Sequence, residues 1–326
     1  IPPSQAAVLA TDPAYNPLLP LQALQFLPQF VNYPNSAQDG ITNDDNIDYT
    51  FKLSYSLNDT TSLYGGVSTG FKASAWNISR NSLPDATETA ALAAAGTPVG
   101  PNTGLGRRYA DPEESEVVEL GAKILLPTGY LNIAIFDQKI EGFQSNTFIG
   151  TGFVLANAGS QSSDGFEFDL VVSPTESIDL AISGLFMDPI YDSFPNSSAG
   201  DLTGTMPSNI SEDTISSTVT WNWSSNNWDG YFRLSHLYAS EAKMLENPAW
   251  QSILEAAGNG IKTQDTLNFS AGLEKENLSI MFWGKNINDD KYLISAFPAV
   301  ADPTSSSFFG YPNAYRSYGL TINYMF

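Results

Sequence analysis

The sequence contains no cysteine and only one histidine among its 326 residues. A disulfide framework, a thiol nucleophile and a thiolate metal site are therefore excluded, and a haem or zinc site would have to be built around His236 alone. Only 14 Lys and Arg oppose 35 Asp and Glu, which gives a formal net charge of -21. This acidic balance argues against nucleic acid as a partner, because phosphate contacts need clustered basic side chains.

Long apolar runs are missing as well. No stretch of about 18 uncharged apolar residues occurs, so the sequence predicts no spanning helix. The N-terminal region lacks the basic and apolar segments of a signal peptide, and several prolines between Pro2 and Pro20 would break an apolar helix. We therefore expect either that an export signal has been removed or that the chain begins within a longer protein.

Strict alternation of side chains is the clearest pattern that is present. From Tyr318 to Phe326 every second residue is large and apolar, and the residues between them are mostly small or polar. A period of two predicts a strand with one polar face, and a membrane barrel places the apolar face against lipid. Segments with the same alternation recur from Asn46 onwards, and about 9 to 11 residues span a bilayer as a tilted strand.

This alternation predicts eleven strands and an all-β fold, an antiparallel transmembrane β-barrel. The predicted strands cover residues 46–58, 61–72, 115–126, 130–145, 163–173, 178–188, 212–223, 228–240, 264–275, 277–286 and 314–326. Short turns alternate with long connections along the chain. Such asymmetry is typical of outer-membrane barrels, in which the long loops are extracellular and the short turns are periplasmic.

An odd number of strands makes the predicted barrel incomplete. Bacterial single-chain barrels have even numbers of strands, and each unpaired backbone group in lipid costs several kcal/mol. Because the first strand runs toward the periplasm, we interpret residues 1–45 as the remnant of an extracellular loop and residues 46–326 as one half of a barrel. The missing N-terminal half is expected either upstream in the same polypeptide or as a separate chain.

Six groups of short motifs occur in the order that is typical of one family of outer-membrane barrels. They are Ser68–Lys72 with Asn77, Pro112–Glu116 with Glu119–Lys123, Asn132–Phe136 with Gly142–Gln144, Asn157–Ser160 with Gly165–Asp169, Trp283–Tyr292, and Pro312–Gly319. Together with the terminal Phe326, they make the chain resemble the TonB-dependent receptors over about residues 46–326. The resemblance implies the C-terminal half of a 22-stranded barrel that surrounds a plug. Neither a plug nor a motif that engages TonB is found in this sequence.

The resemblance also implies a function, an active-transport receptor in the outer membrane of a Gram-negative bacterium. Such a receptor binds a scarce solute at its extracellular loops and imports it with energy derived from TonB. A ferric siderophore is the default cargo, while carbohydrate, cobalamin and other nutrients are left open. Haem is disfavoured because His236 falls on the predicted lipid side. A passive porin-like channel is the alternative, and a secreted β-sandwich adhesin is a less favoured one.

The implied partners follow from the same family. They are the N-terminal barrel half with its plug, the TonB complex, outer-membrane lipid, and the barrel assembly machinery. That machinery reads the terminal strand, so Tyr324 and Phe326 are the predicted assembly signal. No cofactor is predicted.

Candidate ligand contacts lie in the predicted outer loops. Arg107 and Arg108 form the one paired basic cluster with an aromatic neighbour, and arginines bind anionic ligands well. A salt bridge to Asp111 or Glu113 is the alternative role for this pair. The aromatic residues predicted to meet ligand are Trp76, Tyr109, Trp250, Phe308 and Tyr311, for which packing within the loops is the alternative.

A weak metal candidate and the absence of a catalytic pattern complete the prediction. Asp44, Asn46 and Asp48 have the oxygen-rich spacing of a calcium loop, but the glycine and final glutamate of an EF-hand are missing. A solvated acidic rim is the preferred interpretation. No catalytic residues are predicted, because a Ser-His-Asp arrangement would need His236 and no pair of carboxylates stands out by its spacing.

Overall fold

One antiparallel sheet of eleven strands dominates the structure. The computed structural model describes residues 41–76, 109–148, 153–195, 197, 199–299 and 307–326. The sheet order is β1-β2-β5-β6-β9-β10-β11-β12-β13-β14-β17, so each strand lies beside the next sheet strand along the chain. The strands are β1 (Thr50–Asn58), β2 (Thr61–Lys72), β3 (Ala75–Trp76), β4 (Tyr109–Ala110), β5 (Glu113–Leu126), β6 (Gly129–Glu141), β7 (Gln144–Phe148), β8 (Phe153–Asn157), β9 (Ser160–Thr175), β10 (Ile178–Ser193), β11 (Asp213–Ser225), β12 (Trp228–Lys243), β13 (Ile261–Lys275), β14 (Leu278–Lys285), β15 (Leu293–Pro298), β16 (Phe308–Pro312) and β17 (Ser317–Tyr324). The predicted all-β, eleven-stranded fold is confirmed.

The remaining elements lie in the long connections, all at one end of the sheet. Three two-stranded hairpins, β3–β4, β7–β8 and β15–β16, extend from the sheet there. Helix α1 (Pro248–Ala256) lies between β12 and β13. No helix among the described residues is long and apolar enough to cross a membrane.

The structure differs from the predicted strand 130–145 at its outer end. The chain leaves the sheet after Glu141, where Gly142 has a φ of 67°. A left-handed residue ends the ladder, and glycine adopts that conformation without steric cost. Gln144 then begins the separate hairpin β7–β8 instead of continuing the membrane strand.

At the opposite end, tight turns connect the sheet strands. Asn226 and Asn227 join β11 to β12 with φ values of 51° and 61°. Two consecutive positive φ values are the signature of a type I′ turn, whose twist matches that of the flanking strands. Asparagine tolerates this conformation better than most residues.

The outer face of the sheet, as we define it, carries the large apolar side chains. Register places Leu120 opposite Ile135 and Ile135 opposite Phe166, while Val219 lies opposite Leu234 further along the same face. Leu120 is 57% exposed and Ile135 is 54% exposed. A continuous exposed apolar band of this kind belongs against lipid.

Polar side chains occupy the opposite face, the inner face, and hydrogen-bond across strands. Ser183 Oγ donates to Asp169 Oδ1 over 2.9 Å, and Thr218 Oγ1 donates to Ser235 Oγ over 3.2 Å. A cavity of about 310 Å³ on this side extends from Tyr64 on β2 to residues of β11. The sheet is therefore curved, with its polar face on the concave side.

Strands β1 and β17 are the two edges of the sheet. Within the described part of the chain, neither has a partner on its second side, and they do not pair with each other. All nine residues of β1 are exposed. Each edge therefore presents a row of unpaired backbone donors and acceptors.

Arginine substitutions at two neighbouring positions of β11 test the assignment of the faces. Val219→Arg places a charge on the outer face and should destabilise the membrane-inserted protein by about 2–4 kcal/mol. Thr218→Arg places the same charge on the polar inner face and should cost far less. Equilibrium unfolding from lipid vesicles measures both variants, and equal losses of stability would contradict the assignment.

Candidate functional site

Buried amide side chains fix the outer loops to the ends of the strands. Gln144 is 7% exposed, and its Nε2 donates to the carbonyl oxygens of Ala73 and Asp111 over 3.0 and 2.8 Å. Asn157 accepts from the backbone N–H of Asp111 over 2.7 Å and donates to the carbonyl oxygen of Gly142 over 2.6 Å. These bonds join the connections that follow β2 and β6.

Helix α1 is anchored in the same manner. Asn247 caps the helix by accepting from the backbone N–H groups of Ala249 and Trp250, which is the usual role of asparagine at this position. Gln251 is only 4% exposed. Its Oε1 accepts from the backbone N–H groups of Met244 and Leu245, and its Nε2 donates to Glu255 Oε1 and to the carbonyl oxygen of Gly260.

The connection between β14 and β17 contains a third amide anchor, Asn286, which is 3% exposed. Its Nδ2 donates to the carbonyl oxygens of Asp290 and Ala314, each over 2.9 Å. Burial raises the pKa of the neighbouring Tyr292, a hydrogen bond with Thr266 lowers it, and the Asp290 carboxylate raises it again, with a net upward shift. The hydrogen bonds of Gln144, Gln251 and Asn286 hold the outer loops in one conformation, so that they offer a pre-organised surface.

The structure brings together one pair of the predicted ligand contacts. The rings of Trp76 and Tyr109 lie 5.0 Å apart in the hairpin β3–β4, and Trp76 Nε1 donates to Thr42 Oγ1 over 3.1 Å. The predicted contacts Arg107 and Arg108 lie outside the described residues. Glu113, one of their alternative partners, forms an ion pair of 2.9 Å with Lys72.

The other predicted contacts lie in a different loop cluster. Trp250 belongs to helix α1, and Phe308 packs against the buried cluster of Met244, Leu254 and Ala296. Tyr311 lies on the opposite face of hairpin β15–β16, together with Phe297 and Phe309. Its ring centroid is 5.5 Å from that of Phe297, and Tyr311 and Phe309 are each 54% exposed. This face is therefore exposed to solvent, whereas Phe308 packs into the loop core.

The predicted calcium ligands contact the protein itself. Both oxygens of Asp44 accept from Ser74, over 2.7 Å from its hydroxyl and 3.0 Å from its backbone N–H. Asp48 Oδ1 accepts from Asn46 Nδ2 over 2.8 Å. No group of three or more His, Asp or Glu side chains within the described ranges is arranged to hold a metal. The calcium site stays a prediction.

The lone histidine has a partner that sequence analysis missed. His236 Nε2 lies 2.6 Å from Asp265 Oδ1, and register places His236 opposite Ser217 and Leu267 on the outer face. The pair is brought together only by the pairing of β12 with β13. Because Asp265 is distant in sequence, no local pattern could have identified it.

A polar cluster on the inner wall was also missed. Register places Tyr64 opposite Gly121, two residues along β5 from Glu119, and Lys123 Nζ lies 5.6 Å from the centre of the Tyr64 ring. The ring packs over Gly121, where an added Cβ would lie 2.4 Å from Tyr64 Cζ. A glycine facing an aromatic residue on the neighbouring strand is the signal that could have predicted this contact.

Comparisons with known proteins assign the fold to a family. Residues 28–287 match a family model described as "TonB dependent receptor-like, beta-barrel". A comparison of the sequence with curated proteins finds no match.

Several solved structures share this architecture. The ferric yersiniabactin uptake receptor FyuA from Yersinia pestis matches with a TM-score of 0.65 and 19% identity, over 87% of this chain and 38% of that one. The siderophore receptor PiuA from Acinetobacter baumannii matches with a TM-score of 0.58 and 16% identity, over 85% and 35%. The ferric preacinetobactin receptor BauA from Acinetobacter baumannii matches with a TM-score of 0.56 and 15% identity, over 84% and 36%. The chain thus spans little more than a third of the length of these proteins.

Removing the Gln251 side chain tests whether the outer loop is pre-organised. Gln251→Ala leaves the backbone N–H of Leu245 without its acceptor, whereas the Met244 N–H keeps a second acceptor in the carbonyl oxygen of Gly260. An unsatisfied buried group costs about 1–3 kcal/mol. Since about 1.4 kcal/mol corresponds to a factor of ten, limited proteolysis between β12 and β13 should accelerate by roughly tenfold or more. Ser252→Ala is the matched control, because the Ser252 hydroxyl is exposed and bonds only the carbonyl oxygen of Pro248. Equal cleavage rates in both variants would contradict the role of Gln251.

Proposed function

Because this chain belongs to the TonB-dependent receptor family of β-barrels, we propose that it forms the C-terminal barrel wall of a receptor that imports a ferric siderophore. The protein is an outer-membrane receptor of a Gram-negative bacterium and not an enzyme. The observation that carries the proposal is the curved eleven-stranded sheet, apolar outside and polar inside, in a chain that matches the family over residues 28–287.

The cargo surface in this proposal is the exposed face of hairpin β15–β16. Phe297, Phe309 and Tyr311 share that face, and the other face is fixed against the loop core. Rigid aromatic side chains provide contact area with little loss of conformational entropy. Trp76 with Tyr109, Trp250, and the arginines at 107 and 108 complete the proposed set of contacts.

The partners belong to the proposal as well. An N-terminal half would supply the strands that pair with the edges β1 and β17, since unpaired backbone groups in lipid cost several kcal/mol each. A plug would fill the concave polar side of the sheet, and TonB would supply energy through that plug. These partners distinguish the proposed receptor from a passive channel.

Uptake measurements with the full-length receptor test the function. In iron-limited cells, the receptor should support uptake of a radiolabelled ferric siderophore, and loss of TonB should abolish that uptake. A panel of siderophores is needed because the chain does not specify the chelate. Uptake that continues without TonB would support a passive channel, and failure with every siderophore would refute the proposed cargo.

A pair of tyrosine variants tests the cargo surface. Tyr311→Ala should weaken binding of the ferric siderophore about 2- to 10-fold, because an aromatic contact contributes about 0.5–1.5 kcal/mol. Tyr318→Ala is the matched control. Tyr318 is equally exposed, 55% against 54%, but lies on the outer face of β17. If the control weakens binding as much as Tyr311→Ala, hairpin β15–β16 is not the binding surface.

We propose that Tyr324 and Phe326 form the signal for the barrel assembly machinery. The two rings pack 5.1 Å apart, and the backbone of Met325 is fixed to Asn277 by two hydrogen bonds. Deleting Phe326 leaves those bonds in place, so it should lower the amount of receptor in the outer membrane without changing siderophore affinity. Quantitative outer-membrane fractionation checks this outcome, and normal levels of the deletion variant would reduce Phe326 to an interfacial aromatic.

A further inference from the structure

An uncharged polar stripe follows the inner face of β11. Every inner-face position of this strand carries a hydroxyl or an amide, namely Thr214, Ser216, Thr218, Thr220, Asn222 and Ser224. The neighbouring strands continue the stripe with Ser235 on β12 and Ser270 on β13. A single cation interrupts it, Arg233 on β12, which lies directly opposite Thr220 on one side and Ser270 on the other.

The guanidinium of Arg233 is anchored by one nitrogen only. Its Nε donates to Thr220 Oγ1 over 3.1 Å, and Thr220 is 9% exposed. The Arg233 residue itself is exposed. Within the part of the chain that the structure describes, its two terminal nitrogens donate no hydrogen bond and no carboxylate forms an ion pair with it. The anchored arginine thus presents a pair of parallel N–H groups on the inner face.

The carboxylate nearest in register is already committed to other donors. That carboxylate is Asp179 on β10, which lies opposite Thr220, on the side of Thr220 away from Arg233. Its Oδ1 accepts from Ser173 Oγ over 2.7 Å, and its Oδ2 accepts from Asn222 Nδ2 over 2.8 Å. Two other inner-face cations already have partners, since Lys72 pairs with Glu113 and Lys123 lies over the Tyr64 ring.

We propose that Arg233 is a docking site on the lumen wall for an Asp or Glu carboxylate of the plug, an inference that rests on the proposed function. The terminal N–H pair of arginine matches the two oxygens of a carboxylate. A plug that covers this wall would remove water from the guanidinium, and leaving a charge uncompensated on burial is strongly unfavourable. A carboxylate on the facing surface meets that requirement.

The position of Arg233 favours the plug over the cargo as the occupant. Arg233 lies nearer the tight turn at Asn226 and Asn227 than the outer end of β12. Cargo arrives at the opposite end of the sheet, where the long connections and helix α1 lie. A site this far from the outer loops therefore faces the domain that fills the lumen. Cargo would reach the outer loops first.

Carbodiimide cross-linking of the full-length receptor identifies the occupant. Carbodiimide joins a lysine amine to a carboxylate in direct contact, so the R233K variant should form an amide bond with one Asp or Glu of the plug, located by mass spectrometry. S235K, in which Arg233 is unchanged, is the matched control on the same strand and face. It should yield several-fold less of that cross-link. R233A should leave siderophore affinity unchanged.

Three results would overturn the docking site in a receptor whose lumen is closed. They are a failure of R233K to form a plug cross-link, whether it forms none or only ones to wall carboxylates such as Asp179; an equal yield of the same plug cross-link from S235K; and a loss of siderophore affinity in R233A when R233K forms no plug cross-link. The last result would make the cargo the occupant. Conductance of the wild-type receptor in a planar bilayer separates these failures from that of the proposed function. A permanently open pore would show that no plug closes the lumen, and would refute the proposed function together with this inference.

Discussion

The structure depends on one constraint, the absence of water from the core of a bilayer. A backbone N–H or C=O group without a partner there costs several kcal/mol, so a chain that crosses with strands must satisfy every group in a continuous ladder. The eleven strands form such a ladder from β1 to β17, and among the described residues only the outward sides of these two edge strands have no partner. Because successive side chains of a strand point to opposite faces, the same ladder produces the apolar outer face and the polar inner face.

This constraint does not apply to the outer loops, which lie outside the membrane. Other interactions hold them in place. The outer loops are fixed by buried amides rather than by a large apolar core. Gln144, Gln251 and Asn286 are each at most 7% exposed, and each bonds backbone groups of the connections. Amides suit this role because one side chain both donates and accepts. The loops thereby hold the exposed aromatic face of hairpin β15–β16, the proposed cargo surface, in place.

The sheet was predictable from sequence because its signal is repeated in every strand. Alternation over about ten residues fits a strand and does not fit a helix, whereas the loops carry no comparable period. The break after Glu141 was missed because it depends on the backbone conformation of Gly142. Helix α1 was missed although Asn247 followed by Pro248 is a recognisable helix start.

The candidate site was less predictable because its contacts join residues that are distant in sequence. Aromatic residues could be assigned to outer loops, but not the pairing of Trp76 with Tyr109 or the division of Phe308 and Tyr311 between two faces of one hairpin. Arg233 carried no signal at all in the sequence. Its significance lies in what surrounds it on the inner wall, and only the register of β11, β12 and β13 shows that.

Hydrogen exchange at the two edge strands tests the central claim most directly. If every strand is paired on both sides in the membrane, the amides of β1 (Thr50–Asn58) and β17 (Ser317–Tyr324) should be as protected in the membrane-embedded receptor as those of the interior strand β11. This includes the amides that face away from β2 and β14. Rapid exchange of those outward amides would show that the edges have no partners, and would contradict the assignment of this sheet to a larger closed barrel.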